Sequence, residues 1–214
     1  MSKTDEAYQF IKKEIIGGNL NNKAPLSVNI LASKLGMSKT PVRDALQKLQ
    51  SEGFIRIIPN QGIVIQELTI LEATHMYELR IAIEEYLLKQ IIPMLKEENI
   101  TYLRNLLDKQ KQAMENNDPY EFMKHDSEQH LYLHKIYFNP IIHDVVNQLV
   151  DRIFYGGVQA LRLPGRMEAT LNEHTILVDA IEERDLDKAI RALEYHFTKG
   201  LSSTTISLER FLQN

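Results

Sequence analysis

The chain contains no cysteine. Disulfide bonds and thiolate metal sites are therefore excluded, and the composition is compatible with a reducing cytosol. No apolar run approaches the roughly 20 residues of a transmembrane helix. The first ten residues are polar and of mixed charge, unlike a secretory signal. These absences predict a cytoplasmic protein without a membrane partner, and its 214 residues can form one large domain or two small ones.

Charge is distributed unevenly along the chain. Residues 1–68 carry 9 Lys and Arg against 6 Asp and Glu, whereas residues 69–214 carry 16 against 23. A mildly basic N-terminal part on an acidic remainder is typical of a nucleic-acid contact confined to that part. The difference is small, so it supports such a contact only together with sequence motifs.

The first 68 residues predict three helices and a β-hairpin. The predicted elements are helices over 4–16, from Ser27, and from Ser38 or Thr40 to Glu52, then strands over 55–58 and 63–65 around the turn 59–62. The helices follow from apolar residues at helical spacing and from capping residues, and the strands from short β-rich runs beside a turn. This combination predicts a winged helix-turn-helix.

The third predicted helix has the composition of a DNA-recognition helix. It opens with hydroxyl side chains and a proline, and it carries the cations Lys39, Arg43 and Lys48. Hydroxyl groups can bond phosphates, and Arg or Lys can reach guanine edges in the major groove. Taken alone, this stretch fits an ordinary capped surface helix equally well.

A second domain is predicted to begin at residue 69. Thr69 and Glu72 form the Thr-x-x-Glu pattern of a capping box, and the chain after it is helical in pattern. The sequence thus predicts a mainly α protein, with a winged helix-turn-helix over 1–68 and an all-α antiparallel bundle of six or seven helices over 69–214.

Two boundaries in the bundle follow from glycine and capping signals. We expect the fourth bundle helix to span 141–155 and to end at Gly156 and Gly157. We expect the sixth to run from Asp185 to about Lys199, with a separate short helix over 203–212.

Four bundle residues have the spacing of a metal site. His174 and His196 each lie 11 residues from the turn at Asp185 and on apolar faces, so an antiparallel helix pair would place them at the same height. Asp126 and His130 are four residues apart and project from one inward-facing helix face. One carboxylate and three imidazoles suit Zn²⁺, Ni²⁺, Mn²⁺ or Fe²⁺.

Simpler explanations of these four residues stay open from the sequence. An Asp-x-x-x-His pair is more often a helix-surface interaction, and a buried histidine more often bonds a neighbour than a metal. His134 lies four residues beyond His130 and could replace it.

Residues 8–66 resemble the DNA-binding domain of the GntR superfamily of bacterial transcription regulators. The resemblance is carried by Leu31-Ala32, Leu35-Gly36, the run SKTPVRDAL at 38–46, Leu49, Glu52-Gly53 and Gly62. It implies DNA contacts by Ser38, Lys39, Thr40 and Arg43 and a wing tip at Gly62 near the minor groove, and Gln61 is added from its place in the turn. The family often has Arg where this chain has Lys39, which lacks the bidentate fork of Arg.

Residues 72–200 resemble the FCD effector domain of the FadR-type branch of that superfamily. The matching residues are Asp126, His130, Asn139-Pro140, Glu173-His174, Ala180-Ile181, Asp185, Ala189 and His196, while Gln129 replaces the usual aromatic. The resemblance implies that Asp126, His130, His174 and His196 are metal ligands. It also implies that Arg80 points into a cavity and pairs with an effector carboxylate, although the sequence alone favours a surface pair with Glu84.

The function expected from these features is that of a metabolite-responsive repressor. It would bind a short palindromic operator in double-stranded DNA as a homodimer. It would also bind a divalent metal, with zinc as the leading candidate, and a small carboxylate metabolite. Two alternatives are a metalloenzyme with an attached DNA-binding domain and a regulator whose metal is purely structural.

Overall fold

The computed structural model describes residues 1–20, 26–59 and 61–212. The chain divides into two compact units, Met1–Glu67 and Leu68–Asn214. Each unit has its own buried core.

The N-terminal unit is a winged helix-turn-helix, as predicted. Its elements are α1 (Lys3–Ile16), α2 (Val28–Leu35), α3 (Lys39–Ser51), β1 (Ile55–Ile58) and β2 (Gly62–Ile65). The strands are antiparallel, with Ile55 opposite Ile65 and Ile58 opposite Gly62. Asn60 of the predicted turn lies outside the described residues.

Local capping signals set the helix boundaries of this unit. The Ser27 hydroxyl accepts from the backbone N–H of Ile30 and starts α2, and Gly36 ends it in the left-handed conformation with φ of 62°. Apolar faces of all three helices then meet in one core, which includes Ile11, Leu31 and Leu46, each fully buried. Burial of this kind, more than helix propensity, stabilises short helices such as α2.

Gly62 is required by both its backbone angle and its surroundings. Its φ is +107°, a region that side-chain-bearing residues rarely adopt. A Cβ built at this position would lie 2.8 Å from the carbonyl oxygen of Leu26. The same Leu26 oxygen accepts a hydrogen bond from the N–H of Ile63, so the hairpin and the segment before α2 are held together here.

The C-terminal unit is an all-α bundle with seven α-helices among the described residues, within the predicted range. They are α4 (Ile70–Ile91), α5 (Glu97–Glu115), α6 (Pro119–Ile136), α7 (Pro140–Asn147), α8 (Val150–Leu161), α9 (Arg166–Glu182) and α10 (Leu186–Leu212). A 3₁₀ turn, Ile92–Met94, follows α4. The predicted capping box of Thr69 and Glu72 is present at the start of α4.

Helices α4, α5, α6, α9 and α10 enclose the bundle core. Its apolar residues include Leu88, Leu103, Leu133, Leu177 and Phe197. No helix in the described ranges is long and apolar enough to cross a membrane.

The predicted fourth bundle helix is wrong in both its length and its end. The chain forms two helices, α7 and α8, separated near Gln148 and Leu149, and Gly156 and Gly157 lie inside α8. A Cβ at Gly157 would come within 2.3 Å of the Met123 sulfur. These glycines are therefore explained by close helix packing, which local sequence patterns do not reveal.

The predicted break between Lys199 and Ser203 is also wrong, because α10 is continuous over Leu186–Leu212. Gly200 lies within it and faces the ring of Tyr77 on α4, where an added Cβ would lie 2.9 Å from ring atoms. The Tyr77 and Thr204 hydroxyls are 3.3 Å apart. Gly200 therefore packs against α4 within a continuous helix and does not end that helix.

We predict that Gly62→Ala loosens the wing. The positive φ and the contact with the Leu26 oxygen should together destabilise the hairpin by about 1–3 kcal/mol. Hydrogen exchange of peptides covering 54–66 in the full chain should become faster. Gln61→Ala at the exposed neighbouring position is the control, and equal exchange in both variants would contradict the prediction.

Candidate functional site

Four candidate ligands predicted from the sequence come together inside the bundle. Asp126 and His130 project from α6, His174 from α9 and His196 from α10, and all four are buried. One ligand atom from each lies within 4.8 Å of the other three. Three helices therefore contribute to a single cluster.

The tight connection between α9 and α10 places the two helices in register. Arg184 adopts a φ of 57° in this turn, and the Asp185 carboxylate accepts from the N–H of Lys188 at 2.9 Å, capping α10. The histidines equally far from the turn then meet, with His174 Nε2 3.2 Å from His196 Nε2.

Each histidine of the cluster has its Nδ1 atom fixed by a buried acceptor. The bonds run from His130 to Glu84 Oε2 (2.5 Å), from His174 to Gln110 Oε1 (2.7 Å) and from His196 to Glu173 Oε2 (2.9 Å). A carboxylate or amide oxygen accepts, so each Nδ1 carries the proton. The Nε2 atoms consequently present lone pairs to the interior of the cluster, the arrangement found in histidines that bind metals.

Gln129 completes the acceptor arrangement around His174. The Gln110 amide Nε2 donates to Gln129 Oε1 at 3.0 Å, and both side chains are buried. This bond orients the Gln110 oxygen toward His174. The departure from the usual aromatic at position 129 thus introduces a polar contact behind a candidate ligand.

The cluster has the polarity of a cation site. His130 Nε2 is buried without a hydrogen-bond partner within the described part of the chain. The facing Nε2 atoms of His174 and His196 lie 3.2 Å apart, and an oxygen of Asp126 lies 3.5 Å from His174 Nε2. Three imidazole nitrogens and a carboxylate oxygen this close together could hold a divalent transition metal, and nitrogen and carboxylate ligands match zinc.

Burial also shifts the pKa values of side chains in the cluster. It lowers the pKa of His130 and of His174 well below the usual histidine value, which favours the neutral, metal-binding form. Burial raises the pKa of the Asp126 carboxyl. A cation beside this carboxyl would favour its ionised form.

Arg80 is buried, contrary to the surface position favoured by the sequence alone. The predicted pair with Glu84 is present, since Arg80 Nε donates to Glu84 Oε1 at 3.2 Å. The guanidinium also lies over the Phe197 ring, 4.3 Å from its centroid. Glu84 therefore joins Arg80 to His130, one through each carboxylate oxygen.

Arg80 opens onto a cavity of about 30 Å³ beside the cluster. The cavity is lined among others by Tyr77, Arg80, Asp126, Arg166, Thr170 and His196. Within the described residues, the terminal nitrogens of Arg80 make no hydrogen bond. A buried cation with free donors beside the cluster can bind an anion.

Sequence reasoning assigned no role at the site to Arg166, Glu173 or Gln110. The two terminal nitrogens of Arg166 donate to the two oxygens of Glu173 at 2.6 and 2.8 Å. Burial acts to raise the pKa of Glu173, but hydrogen bonds from His196 and Arg166 outweigh it and lower the pKa. The seven-residue spacing on α9 places Arg166 and Glu173 on one face and could have indicated this pair, whereas no sequence signal indicated Gln110.

The predicted DNA-contacting residues lie at the surface of the N-terminal unit. Exposed side chains at and after the start of α3 are those of Ser38, Lys39, Thr40 and Arg43; Gln61 is exposed and Gly62 half-buried in the hairpin. Ser38 occupies the N-cap, but its hydroxyl does not cap the helix. Among the described residues, Lys39 and Arg43 have no ion-pair or hydrogen-bond partner, whereas Lys48 lies 4.1 Å from the Tyr8 ring centroid.

The two units match two known sequence families. Residues 3–65 match the bacterial regulatory proteins of the gntR family, and residues 75–199 match the FCD domain. The chain belongs to the GntR family and carries an FCD domain. It is therefore a transcription regulator, as the resemblance implied, and the family consists of DNA-binding regulators rather than enzymes.

Individual relatives agree with this assignment. The Escherichia coli transcriptional repressor RspR is 26% identical over 194 residues, covering 89% of this chain and 84% of the relative. The Bacillus subtilis gluconate operon repressor is 25% identical over 200 residues, covering 89% and 80%. The solved structure of E. coli McbR/YncC shares the fold, with a TM-score of 0.77, 22% identity and 99% coverage of both chains.

We predict that His130→Ala removes zinc binding while His134→Ala retains it. The two histidines lie one turn apart on α6 and are about equally buried, at 4% and 5% exposure, but only His130 joins the cluster. Loss of a ligand should weaken zinc affinity beyond the roughly 10–100-fold effect of losing a group that hydrogen-bonds to a ligand.

The measurements are metal content by elemental analysis and thermal unfolding with and without added Zn²⁺. About one zinc per chain and a zinc-induced rise in Tm are expected for the unmodified protein and for His134→Ala. Equal zinc binding by His130→Ala would remove His130 from the proposed ligand set.

Proposed function

We propose that this GntR-family regulator is a metal-dependent repressor controlled by a small organic acid. Asp126, His130, His174 and His196 would hold a divalent transition metal, with zinc first and nickel, manganese or iron as alternatives. The observation that carries the proposal is the convergence of four acceptor atoms beside a buried arginine with free terminal nitrogens. A DNA-binding regulator of this family would act in the bacterial cytoplasm.

The cavity supports a carboxylate effector. A bound metal would supply positive charge at the cluster, and Arg80 lines the same cavity. A guanidinium recognises a carboxylate through paired, charge-assisted hydrogen bonds. Because Glu84 holds Arg80 Nε, the guanidinium is fixed in place before a ligand arrives, which reduces the entropy lost on binding.

The N-terminal unit supports operator binding by a dimer. The exposed Ser38, Lys39, Thr40 and Arg43 would enter the major groove, and the hairpin with Gln61 and Gly62 would contact the neighbouring groove. One recognition helix reads few bases, so a homodimer on a short palindrome is the expected form. The relatives that are named as repressors support repression rather than activation.

Effector control requires a difference between conformations. An organic acid changes operator affinity only if it binds the DNA-competent and DNA-incompetent conformations unequally. Tyr77, Arg80 and Glu84 all belong to α4, so ligand binding acts directly on this helix. We propose that the ligand selects a conformation through α4 and releases the operator.

The metalloenzyme alternative has less support. The two buried glutamates beside the cluster, Glu84 and Glu173, are each engaged by a histidine and an arginine. Neither is free to act as a general base toward a metal-bound water. His174→Ala tests the purely structural alternative, because loss of folding would favour it and loss of effector response alone would favour regulation.

We predict that Arg43→Ala strongly weakens operator binding without unfolding the protein. Arg43 is exposed, so its removal should cost the fold little, whereas a lost base or phosphate contact costs about 1–3 kcal/mol per site. Fluorescence polarisation with the operator fragment at fixed salt measures the change. The charge-matched control is Arg191→Ala, exposed on α10, and equal affinities of the two variants would contradict the recognition-helix assignment.

We predict that Arg80→Lys abolishes the effector response while preserving operator and zinc binding. Lysine keeps the charge but loses the fork that would hold a carboxylate. The measurement is operator affinity across a series of small carboxylates, with zinc content determined in parallel. A variant that responds like the unmodified protein would exclude Arg80 from effector binding.

A further inference from the structure

A groove on the surface of the bundle is lined by residues of α6, α7, α8 and the link between α6 and α7. Its volume is about 310 Å³, at the lower end of the range of about 300–1,000 Å³ that is usual for small-molecule sites. An apolar cavity of about 150 Å³ already accepts benzene. The groove therefore has room for a ligand of one or two rings. None of the four candidate metal ligands is among its lining residues.

The wall of the groove is mainly apolar and includes two aromatic rings. Phe154 belongs to α8 and Phe138 to the link between α6 and α7, and Leu131 of α6 adds an aliphatic side chain. Phe138 is 62% exposed although it is a large apolar residue. Its ring centroid lies 5.5 Å from that of His143 on α7. Because aromatic rings favour stacked and edge-to-face contacts with one another, this wall favours an aromatic ligand.

Helix α7 borders the groove without burying any of its own residues. Its start is fixed by Asn139, whose side-chain oxygen accepts from the N–H of Ile141 at 3.0 Å and of Ile142 at 3.2 Å. The two side chains of α7 that line the groove, His143 and Asn147, bond to each other at 2.8 Å. A polar contact for a ligand is therefore more readily supplied by α6.

His134 of α6 supplies this polar contact. Its side chain is 5% exposed and lines the groove. Its ring nitrogens have no hydrogen-bond partner within the described part of the chain. A buried polar group without a partner is unfavourable and rare in folded proteins. A hydroxyl group can both donate and accept, so a ligand hydroxyl can bond to either ring nitrogen.

The charged residues of the groove do not favour an anion. Lys124 and Lys135 are exposed, and Lys124 is already paired with Glu121 at 2.8 Å. Glu128 accepts a hydrogen bond from the Tyr102 hydroxyl. Ion pairs between exposed groups contribute little, since the charges stay hydrated. The groove thus lacks, among its described lining residues, the buried cation that is present beside the metal cluster.

We propose that this groove is a second ligand site, which binds an uncharged aromatic compound that carries a hydroxyl group. The ring contacts Phe138 and Phe154, and the hydroxyl bonds to His134. The site is distinct from the metal cluster and from the cavity of the organic acid, and its ligand is of a different chemical class.

The neighbouring interior space is too small for such a ligand. Leu131 and His134 also line a space of about 20 Å³, which is bordered by Glu84 and His130. A water molecule needs about 10–15 Å³ by this measure, so an aromatic ring does not enter. The ligand therefore stays outside the cluster, and its binding should not require zinc.

The test compares three probes that share a fluorobenzene ring, by fluorine NMR titration of the full chain with and without zinc. 4-Fluorophenol carries the hydroxyl, 4-fluorotoluene has a methyl group in its place, and 4-fluorobenzoate is an anion. 4-Fluorophenol should bind about three- to tenfold more tightly than 4-fluorotoluene, which is the effect of one hydrogen bond between neutral groups. 4-Fluorobenzoate should bind more weakly than 4-fluorophenol, and zinc should leave the order unchanged.

Two variants assign the contacts. His134→Phe keeps a ring but removes both ring nitrogens, so the preference for 4-fluorophenol over 4-fluorotoluene should disappear. Phe138→Ala removes an exposed wall of the groove and should weaken the binding of both neutral probes about threefold or more. The matched control is Ile141→Ala, because Ile141 is 72% exposed, apolar and not among the lining residues. Thermal unfolding of each variant verifies that it folds.

Each outcome decides for or against the site. Equal affinities for 4-fluorophenol and 4-fluorotoluene, tightest binding of 4-fluorobenzoate, or no binding of either neutral probe overturns the inference. An undiminished hydroxyl preference in His134→Phe does so as well. If His134→Phe does not fold, Phe138→Ala decides, and an affinity for 4-fluorophenol equal to that of Ile141→Ala contradicts the site. All of these results leave the proposed metal and organic-acid site untouched.

Discussion

The contact between His174 Nε2 and His196 Nε2, at 3.2 Å, determines the chemistry of the bundle. Both atoms present lone pairs because buried acceptors hold the protons on Nδ1. The Nε2 atom of His130, which has no hydrogen-bond partner within the described part of the chain, and the carboxylate of Asp126 lie beside them. The helices that enclose this cluster bury several nitrogen and oxygen ligand atoms together, and such a group could hold a metal ion.

The groups behind the ligands fix this geometry. Glu84, Gln110 and Glu173 set the orientation of the three imidazoles, and each comes from a different helix, α4, α5 or α9. Together with the candidate ligands on α6, α9 and α10, they bring five helices into contact with one small volume. A cation bound there would stabilise the folded bundle at the position where polar groups interrupt the apolar core.

Sequence patterns predicted the parts of this molecule that depend on neighbouring residues. The capping box at Thr69, the glycine end of α2 and the equal spacing of His174 and His196 from the Asp185 turn all act over a few helical turns. Gly157 was misread as a helix end, and a break was wrongly predicted after Lys199, because Gly157 and Gly200 pack against Met123 and Tyr77, which are distant in sequence. Gln110 was missed for the same reason, since its partner is 64 residues away.

Helix α4 contributes Tyr77 and Arg80 to the wall of the cavity. Tyr77 and Arg80 lie on α4, which begins just after the boundary of the two units, and Gly200 of α10 packs against the Tyr77 ring without space for a methyl group. Closely packed helices do not shift gradually past each other. They change between discrete packing arrangements instead. A ligand in the cavity would therefore act on α4, which begins next to the boundary of the two units.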